Sequence, residues 1–343
     1  MPHPSLRERM VHTTEMQRDI VVIGGSAGAL EPLRSLVAAM PAELPASIFV
    51  VLHLAPSTPT VLPQMLSRGS RIAAREAVDG EPIEQGRIYV AAADRHLLVR
   101  DGHVLVTRGP TENRARPAID PLFRSAARAF GSRVVGVVLS GYLDDGAAGL
   151  YAVKAAGGAT VVQAPDDALV PNMPLAALEA VHADHVIRAD EIGALLVRLV
   201  IEGAPANAES RDVPSGVALE DDIAAGETTP ATRARRSMYP SGFGCPDCGG
   251  VLFERGDGTL GRFRCRVGHA YSAANLAERQ SEKLDETLWV AYRAIEERAA
   301  LAQRLADRAR AEGRTDGARR QDDELRKIEA RAELLRKVLG VSK

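Results

Sequence analysis

At 343 residues, with 45% hydrophobic and 26% charged side chains, the chain reads as an ordinary globular protein long enough for more than one unit. A net charge of −2 gives no general pull toward nucleic acid or an anionic membrane, and no apolar run approaches the roughly 20 residues of a membrane-spanning helix. The three cysteines all fall between 245 and 265, which argues against a disulfide framework and for the cytoplasm.

The first 18 residues carry basic side chains but no apolar segment, and are expected to form a disordered leader rather than a secretory signal. From 19 to 202, β-branched runs alternate with helical patterns. DIVVIGG, SIFVVLHL, GRIYVAA, RVVGVVLSG and GATVVQAP read as strands. LEPLRSLVAAM, TVLPQMLSR, IDPLFRSAARAF and DGAAGLYAVKAA read as helices between them. The alternation predicts an α/β fold, a doubly wound and mostly parallel sheet with flanking helices. HLLVRDGHVLVTRG departs from it as a hairpin about Asp101-Gly102, and HVIRADEIGALLVRLV supplies a last strand and a closing helix.

Residues 203–240 are rich in Ala, Gly, Pro, Ser, Thr and acids without periodicity, and predict a flexible linker. A compact Cys/His module follows at 241–271. In the tail, 272–343, Leu284, Leu288, Ala291, Ile295, Ala302 and Leu305 form one helical stripe. Leu325, Ile328, Ala332, Leu335 and Leu339 form another beyond a break at 313–316. A helical hairpin or coiled coil is expected, packing on itself or joining two copies into a homo-oligomer.

The chemistry begins at Gly24-Gly25-Ser26-Ala27-Gly28. A dinucleotide fingerprint would need Gly at 26, and a phosphate-binding P-loop would need a following Gly-Lys-Ser/Thr. The pattern G-x-S-x-G instead suits a tight strand-to-helix corner that exposes a serine. Such a serine needs a base and an orienting acid. His53 ends the second strand, and Asp144 and Asp145 follow the strand RVVGVVLSG, so all lie at carboxyl ends of strands, where open α/β sheets bind ligands. His96 could line the cleft, Asp120 reads as a helix cap, and Ser140 as a hydrogen-bonding wall.

GGSAGA, VVLHLAPS, GRIYVAAADRHLLV, RPAIDPLFRSAA and LSGYLDDGAAGL, in this order, resemble the catalytic domain of CheB-type protein-glutamate methylesterases over about residues 19–200. The resemblance implies hydrolysis of glutamate γ-methyl esters on chemoreceptors, with methanol released, and often glutamine deamidation. No cofactor is needed for that catalysis. Ser26 falls on the family's nucleophile, His53 on its base and Asp145 on its triad acid, leaving Asp144 as a solvated neighbour. Backbone N–H groups of Ala27 and Tyr142 are the oxyanion candidates. Tyr142 and Leu143 stand where the family has Met and Gly, and Ala27 where Thr or Ser is common. These departures keep a catalytically weak scaffold as the alternative reading. The family usually carries a receiver domain ahead of this one. With only a short leader here, the C-terminal module and helices are expected to serve for partner binding, dimerisation or regulation.

Cys245-x2-Cys248 and Cys265-x3-His269 have the spacing of a closed tetrahedral zinc site of the structural kind, with Asp247 as the substitute ligand if His269 fails. RFRCR is basic, but the module lacks a basic aromatic face, and no nucleic-acid partner is expected.

Overall fold

The runs that alternate through 19–202 are apolar on both faces, as strands sandwiched between helices must be. In the computed structural model, which describes residues 17–53, 61–204, 211–228, 238–255 and 261–341, they form one seven-stranded sheet. The strands are β1 (Ile20–Gly25), β2 (Ser47–Leu52), β3 (Ala73–Glu76), β4 (Arg87–Val90), β7 (Val134–Val138), β8 (Ala159–Gln163) and β9 (His185–Ile187). Their order is β3-β4-β2-β1-β7-β8-β9, and every pairing is parallel. Winding runs outward from β1 in one direction through β2 and β4, then in the other through β7, β8 and β9. The switch point therefore lies beside β1, at the centre of the sheet.

The period of two sorts β1 between two cores. Ile20 and Val22 join a cluster with Ile119, Phe123 and Leu150, from α3 (Ile119–Phe130) and α4 (Ala147–Ala155). Val21 and Ile23 pack with Leu33, Leu36, Leu66 and Leu196, from α1 (Leu30–Ala38), α2 (Leu62–Gly69) and α6 (Ala189–Glu202). The hairpin is present as β5 (His96–Arg100) and β6 (His103–Thr107), a separate two-stranded sheet on the α3 side. β3 and α5 (Asn172–Ala180) were not legible as elements. β3 is a short, largely exposed edge, and NMPLAALEA mixes small residues without a clear apolar stripe.

The expected leader lies outside the described residues up to 16. The expected linker is corrected at its centre: Ser215–Ala224 form a helix, α7, whose Glu220, Asp221 and Asp222 are buried. Arg100 Nη2 donates to Asp221 Oδ2 at 2.6 Å, and Arg128 pairs with Asp221 and Asp222. Charge pairing with the α3 face orders a segment that composition alone marks as disordered. Of that stretch, 205–210 and 229–237 lie outside the described residues, and 238–240 already open the first strand of the Cys/His module.

The Cys/His module is a four-stranded antiparallel sheet of β10 (Met238–Gly244), β11 (Val251–Arg255), β12 (Arg262–Cys265) and β13 (Ala270–Ser272), in that order. It belongs to the same compact unit as the parallel sheet, which ends at Leu276. Its edge continues into that domain: Ala270 N donates to Thr111 O at 3.2 Å and Asn113 N to Ala270 O at 2.8 Å.

The second unit, 277–343, contains most of α8 (Ala273–Ala311) and all of α9 (Thr315–Val338). Gly313 turns the chain between them, and Arg298–Glu324 and Arg336–Glu296 pair the helices antiparallel. Ala302, Ala306, Ala309, Ile328 and Ala332 are buried between them, whereas Leu284, Leu301 and Leu305 are exposed. The first stripe is thus displaced, because close approach of two helices favours the alanine face over the leucines.

Candidate active site

The parallel register brings three strand ends together. Gly25 pairs with Leu52, His53 N donates to Gly25 O at 3.2 Å, and Ser26 N donates to Ser140 O at 2.9 Å. Ser26, His53 and the Asp loop therefore emerge from β1, β2 and β7 at the switch point. The glycines make this corner possible by their size. A Cβ on Gly24 would lie 2.3 Å from Ile119 Cγ2, and one on Gly141 would lie 2.8 Å from Ser26 Cβ.

His53 Nε2 lies 2.8 Å from Asp145 Oδ2. The ring side is 21% exposed and the carboxyl side 2%, so the pair reaches from the buried floor to the mouth. Asp145 Oδ2 also accepts from Ile119 N at 2.6 Å, and Oδ1 accepts from Asn113 Nδ2 at 2.7 Å and Asp120 N at 3.3 Å. Burial pushes this carboxyl up. The His53, Ile119 and Asn113 hydrogen bonds outweigh that and hold it below the usual carboxylate range. A carboxylate that only accepts makes Nε2 the protonated ring nitrogen. Nδ1 is then free to take a proton. Among the described residues no hydrogen bond joins it to Ser26 Oγ, a contact that commonly tightens only with substrate bound.

Of the backbone donors around Ser26, its own N–H goes to Ser140 O and that of Gly141 goes to Val170 O at 3.0 Å. Among the described residues the N–H groups of Ala27 and Tyr142 have no protein acceptor. Ala27 also precedes the first turn of α1, whose dipole favours negative charge. The arrangement can expose a hydroxyl, hold a base in one tautomer and offer donors to a developing oxyanion.

Other expectations are refined or corrected. His96 does not line the cleft: it is buried, its Nε2 lies 2.9 Å from Pro110 O, and Ala118 N donates to its Nδ1 at 3.2 Å. Asp120 caps a helix, but α4 rather than its own, accepting from Gly146 N at 3.1 Å and Gly149 N at 2.7 Å. Ser140 is a wall, donating to Ala27 O at 2.7 Å and accepting from Val170 N at 2.9 Å. Asp144 is no solvated neighbour. Ser272 Oγ donates to it at 2.7 Å and Asn275 Nδ2 also bonds it, because the Cys/His module closes over that side. The residue most clearly missed is Asn113, since nothing in TENRARPAID marks it as the partner of Asp145.

Tyr142 is 63% exposed, so its ring does not enter the corner. Leu143 has φ +61, a left-handed conformation that a side chain disfavours by about 1–2 kcal/mol and glycine does not. Leu143→Gly is therefore expected to raise stability by about 0.5–1 kcal/mol, after allowing for the greater freedom of glycine in the unfolded chain. Denaturant unfolding of both chains checks this.

The four ligand candidates of the Cys/His module converge. Cys245 Sγ and Cys265 Sγ each lie 3.6 Å from His269 Nδ1, and Cys248 Sγ lies 3.7 Å from Cys265 Sγ. Zinc with ordinary bond lengths in a tetrahedron sets sulfurs about 3.8 Å apart and sulfur from nitrogen about 3.6 Å. The donor set fits. Gly249 (φ +72) and Gly268 (φ +115) supply the left-handed turns of the two ligand loops. Asp247 is engaged elsewhere, accepting from Tyr271 Oη at 2.6 Å. The arginines of RFRCR that lie on β12, Arg262 and Arg264, are buried and turned inward onto carboxylates.

A family model described as CheB methylesterase matches residues 21–196. A protein-glutamate methylesterase/protein-glutamine glutaminase of Anaeromyxobacter dehalogenans is 39% identical over 174 residues, 51% of this chain and 51% of that protein. Another, of Geobacter metallireducens, is 39% identical over 194 residues, 55% of this chain and 54% of that protein. The chain thus spans about half the length of the curated relatives it matches. The crystal structure of the Thermotoga maritima CheB methylesterase catalytic domain is 33% identical, with a TM-score of 0.51, covering 53% of this chain and 98% of that one. Since the matched span takes in just over half of the residues and encloses Ser26, His53 and Asp145, the chain belongs to the CheB methylesterase family.

Proposed function

We propose that this chain is a serine-type protein-glutamate methylesterase. Its substrates are glutamate γ-methyl esters on a chemoreceptor or similar signalling protein, and it also deamidates glutamines there, as the names of its relatives suggest. The observation that carries this is the His53–Asp145 pair set beside Ser26 at the switch point. In the mechanism, Ser26 Oγ attacks the ester carbonyl while His53 Nδ1 takes its proton. Asp145 holds the ring tautomer and stabilises the imidazolium. The Ala27 and Tyr142 N–H groups receive the oxyanion. His53 then protonates the departing methoxide, and water repeats the sequence on the acyl-serine to free the carboxylate. For deamidation the leaving group is ammonia.

Cys245, Cys248, Cys265 and His269 hold a structural zinc in this reading, which clamps the ribbon and takes no part in the reaction. The three free cysteines suit the cytoplasm, and no helix among the described residues is long and apolar enough to cross a membrane. The exposed leucines of the helical unit are the surface we assign to self-association or partner binding.

Tyr142 and Leu169 are exposed at the mouth, 63% and 80%, and Leu169 packs against the Gly28 turn. They suit the apolar side of a receptor helix. Tyr142→Ala and Leu169→Ala are each expected to raise KM for methylated receptor about three- to tenfold with kcat nearly unchanged. Steady-state kinetics on receptor and on a small methyl ester separates the two effects. The nucleophile is tested by labelling with a fluorophosphonate and peptide mapping. Modification at Ser26, abolished in His53→Gln, supports the reading. Modification at another serine would overturn it.

A further inference from the structure

The ribbon reaches the catalytic carboxylate through two side chains. Arg262, on β12, is buried and donates from Nη1 to Asp120 Oδ2 at 2.9 Å and to Asn113 Oδ1 at 3.2 Å. Asn113 in turn donates from Nδ2 to Asp120 Oδ2 at 2.9 Å and to Asp145 Oδ1 at 2.7 Å. A second ribbon donor, Ser272 N, meets the Asn113 oxygen at 3.1 Å. An asparagine amide is nearly symmetric in shape, so its partners decide which end points where. Here both donors to its oxygen come from the ribbon, and its nitrogen faces two carboxylates.

The charges lead to the same point. Asp120 and Asp145 are wholly buried neighbours, and Arg262 is the guanidinium in hydrogen-bond contact with Asp120, with Arg124 next at 3.9 Å. Glu112 does not release Arg124 for this task, because it holds Arg124 at 2.8 Å and Arg264 at 2.9 Å. Two adjacent buried carboxylates without a compensating cation are strongly unfavourable, and relieving them moves either a side chain or a proton.

We propose that Arg262 is a positioning residue for the Ser26–His53–Asp145 site, acting through Asn113 and Asp120, and that the ribbon presenting it is a working part of the esterase rather than an appendage. Without the guanidinium the Asn113 oxygen keeps only the Ser272 N–H, Asp120 loses its cation, and its unbalanced charge beside Asp145 pulls on the shared Asn113 amide, so the carboxylate is no longer held square to His53. The inference rests on the esterase reading for its kinetic consequence, but the geometry of the His53–Asp145 bond can be read without any substrate.

The test uses the full-length chain as wild type, Arg262→Met and Arg262→Lys. It follows kcat and KM on methylated receptor, the melting temperature, and the far-downfield proton resonance of the His53 Nε2–H, assigned by its loss in His53→Gln. Arg262→Met is expected to lower kcat about 10- to 100-fold with KM within about twofold, and to shift or erase the resonance in a chain that melts at a lower temperature but is folded under the assay conditions. Arg262→Lys is expected to restore most of both. Should Arg262→Met unfold, Asn113→Ala, which removes no charge, carries the same expectation. A resonance and a kcat that stay at wild-type values in Arg262→Met, or in Asn113→Ala when it is the folded variant, would overturn the proposal. If wild type shows the resonance but hydrolyses no ester, the esterase reading fails, and the response of the resonance alone decides the positioning role.

Discussion

Asp145→Asn is expected to reduce kcat by about 10³- to 10⁴-fold while the chain remains folded. Each Asp145 oxygen accepts from two donors, His53 and Ile119 N on one side and Asn113 and Asp120 N on the other. An amide must turn its NH2 toward one of these pairs, so donor faces donor whichever way it lies. His53 is the one partner that can adapt, by carrying its proton on Nδ1 instead of Nε2. That tautomer offers Ser26 a proton rather than taking one, so the base is lost although the ring stays in place. Methanol release gives kcat, and circular dichroism during heating shows whether the fold survives. A loss smaller than about tenfold would mean that Asp145 does not set the tautomer.

Removing the zinc proposed for the Cys/His module is expected to unfold the ribbon and to silence the proposed esterase with it. The ribbon core consists of Cys245, Leu252, Phe263, Cys265, Tyr271 and Leu276, too few apolar side chains to order four strands unaided. Structural zinc contributes about 10–16 kcal/mol to such modules. Loss of the clamp frees β12, and with it Arg262 and Arg264, whose carboxylate partners Asp120, Glu112 and Glu220 are all buried. Breaking a buried pair in this way costs about 3–5 kcal/mol. Treatment with a strong zinc chelator, or Cys265→Ser, should therefore give at least a tenfold fall in kcat together with protease cleavage within 241–271. Metal analysis of the purified chain should find one equivalent of zinc. Retained activity after complete metal loss would separate the ribbon from the site.

The sheet and the catalytic candidates were legible because their signals are local. Parallel strands buried on both faces read as continuous β-branched runs; Ser26 and His53 each follow such a run directly, and Asp145 lies in the loop just beyond another. The cysteine spacing was legible for the same reason, since each ligand pair lies within one turn. What escaped depends on pairing across long distances. α7 looks like linker until Arg100 and Arg128 are seen opposite its acids. Arg262 and Arg264 belong to the short basic run RFRCR, which carries no sign of partners that lie some 140 residues away or in α7. Asn113 sits in a loop with no periodicity, and only the fold shows that it touches both Asp120 and Asp145. Leu143 shows the converse. Its departure from the family pattern was visible, but only its positive φ explains why glycine is the usual residue there.

Methanol release from a carboxyl-methylated chemoreceptor tests whether Ser26 is the nucleophile of a glutamate methylesterase. Full-length wild type and Ser26→Ala should be compared at equal concentration. Clear release is expected from wild type and a loss of at least about 10³-fold in the variant, with both chains equally folded. Release by Ser26→Ala at the wild-type rate, or none by wild type, would contradict it.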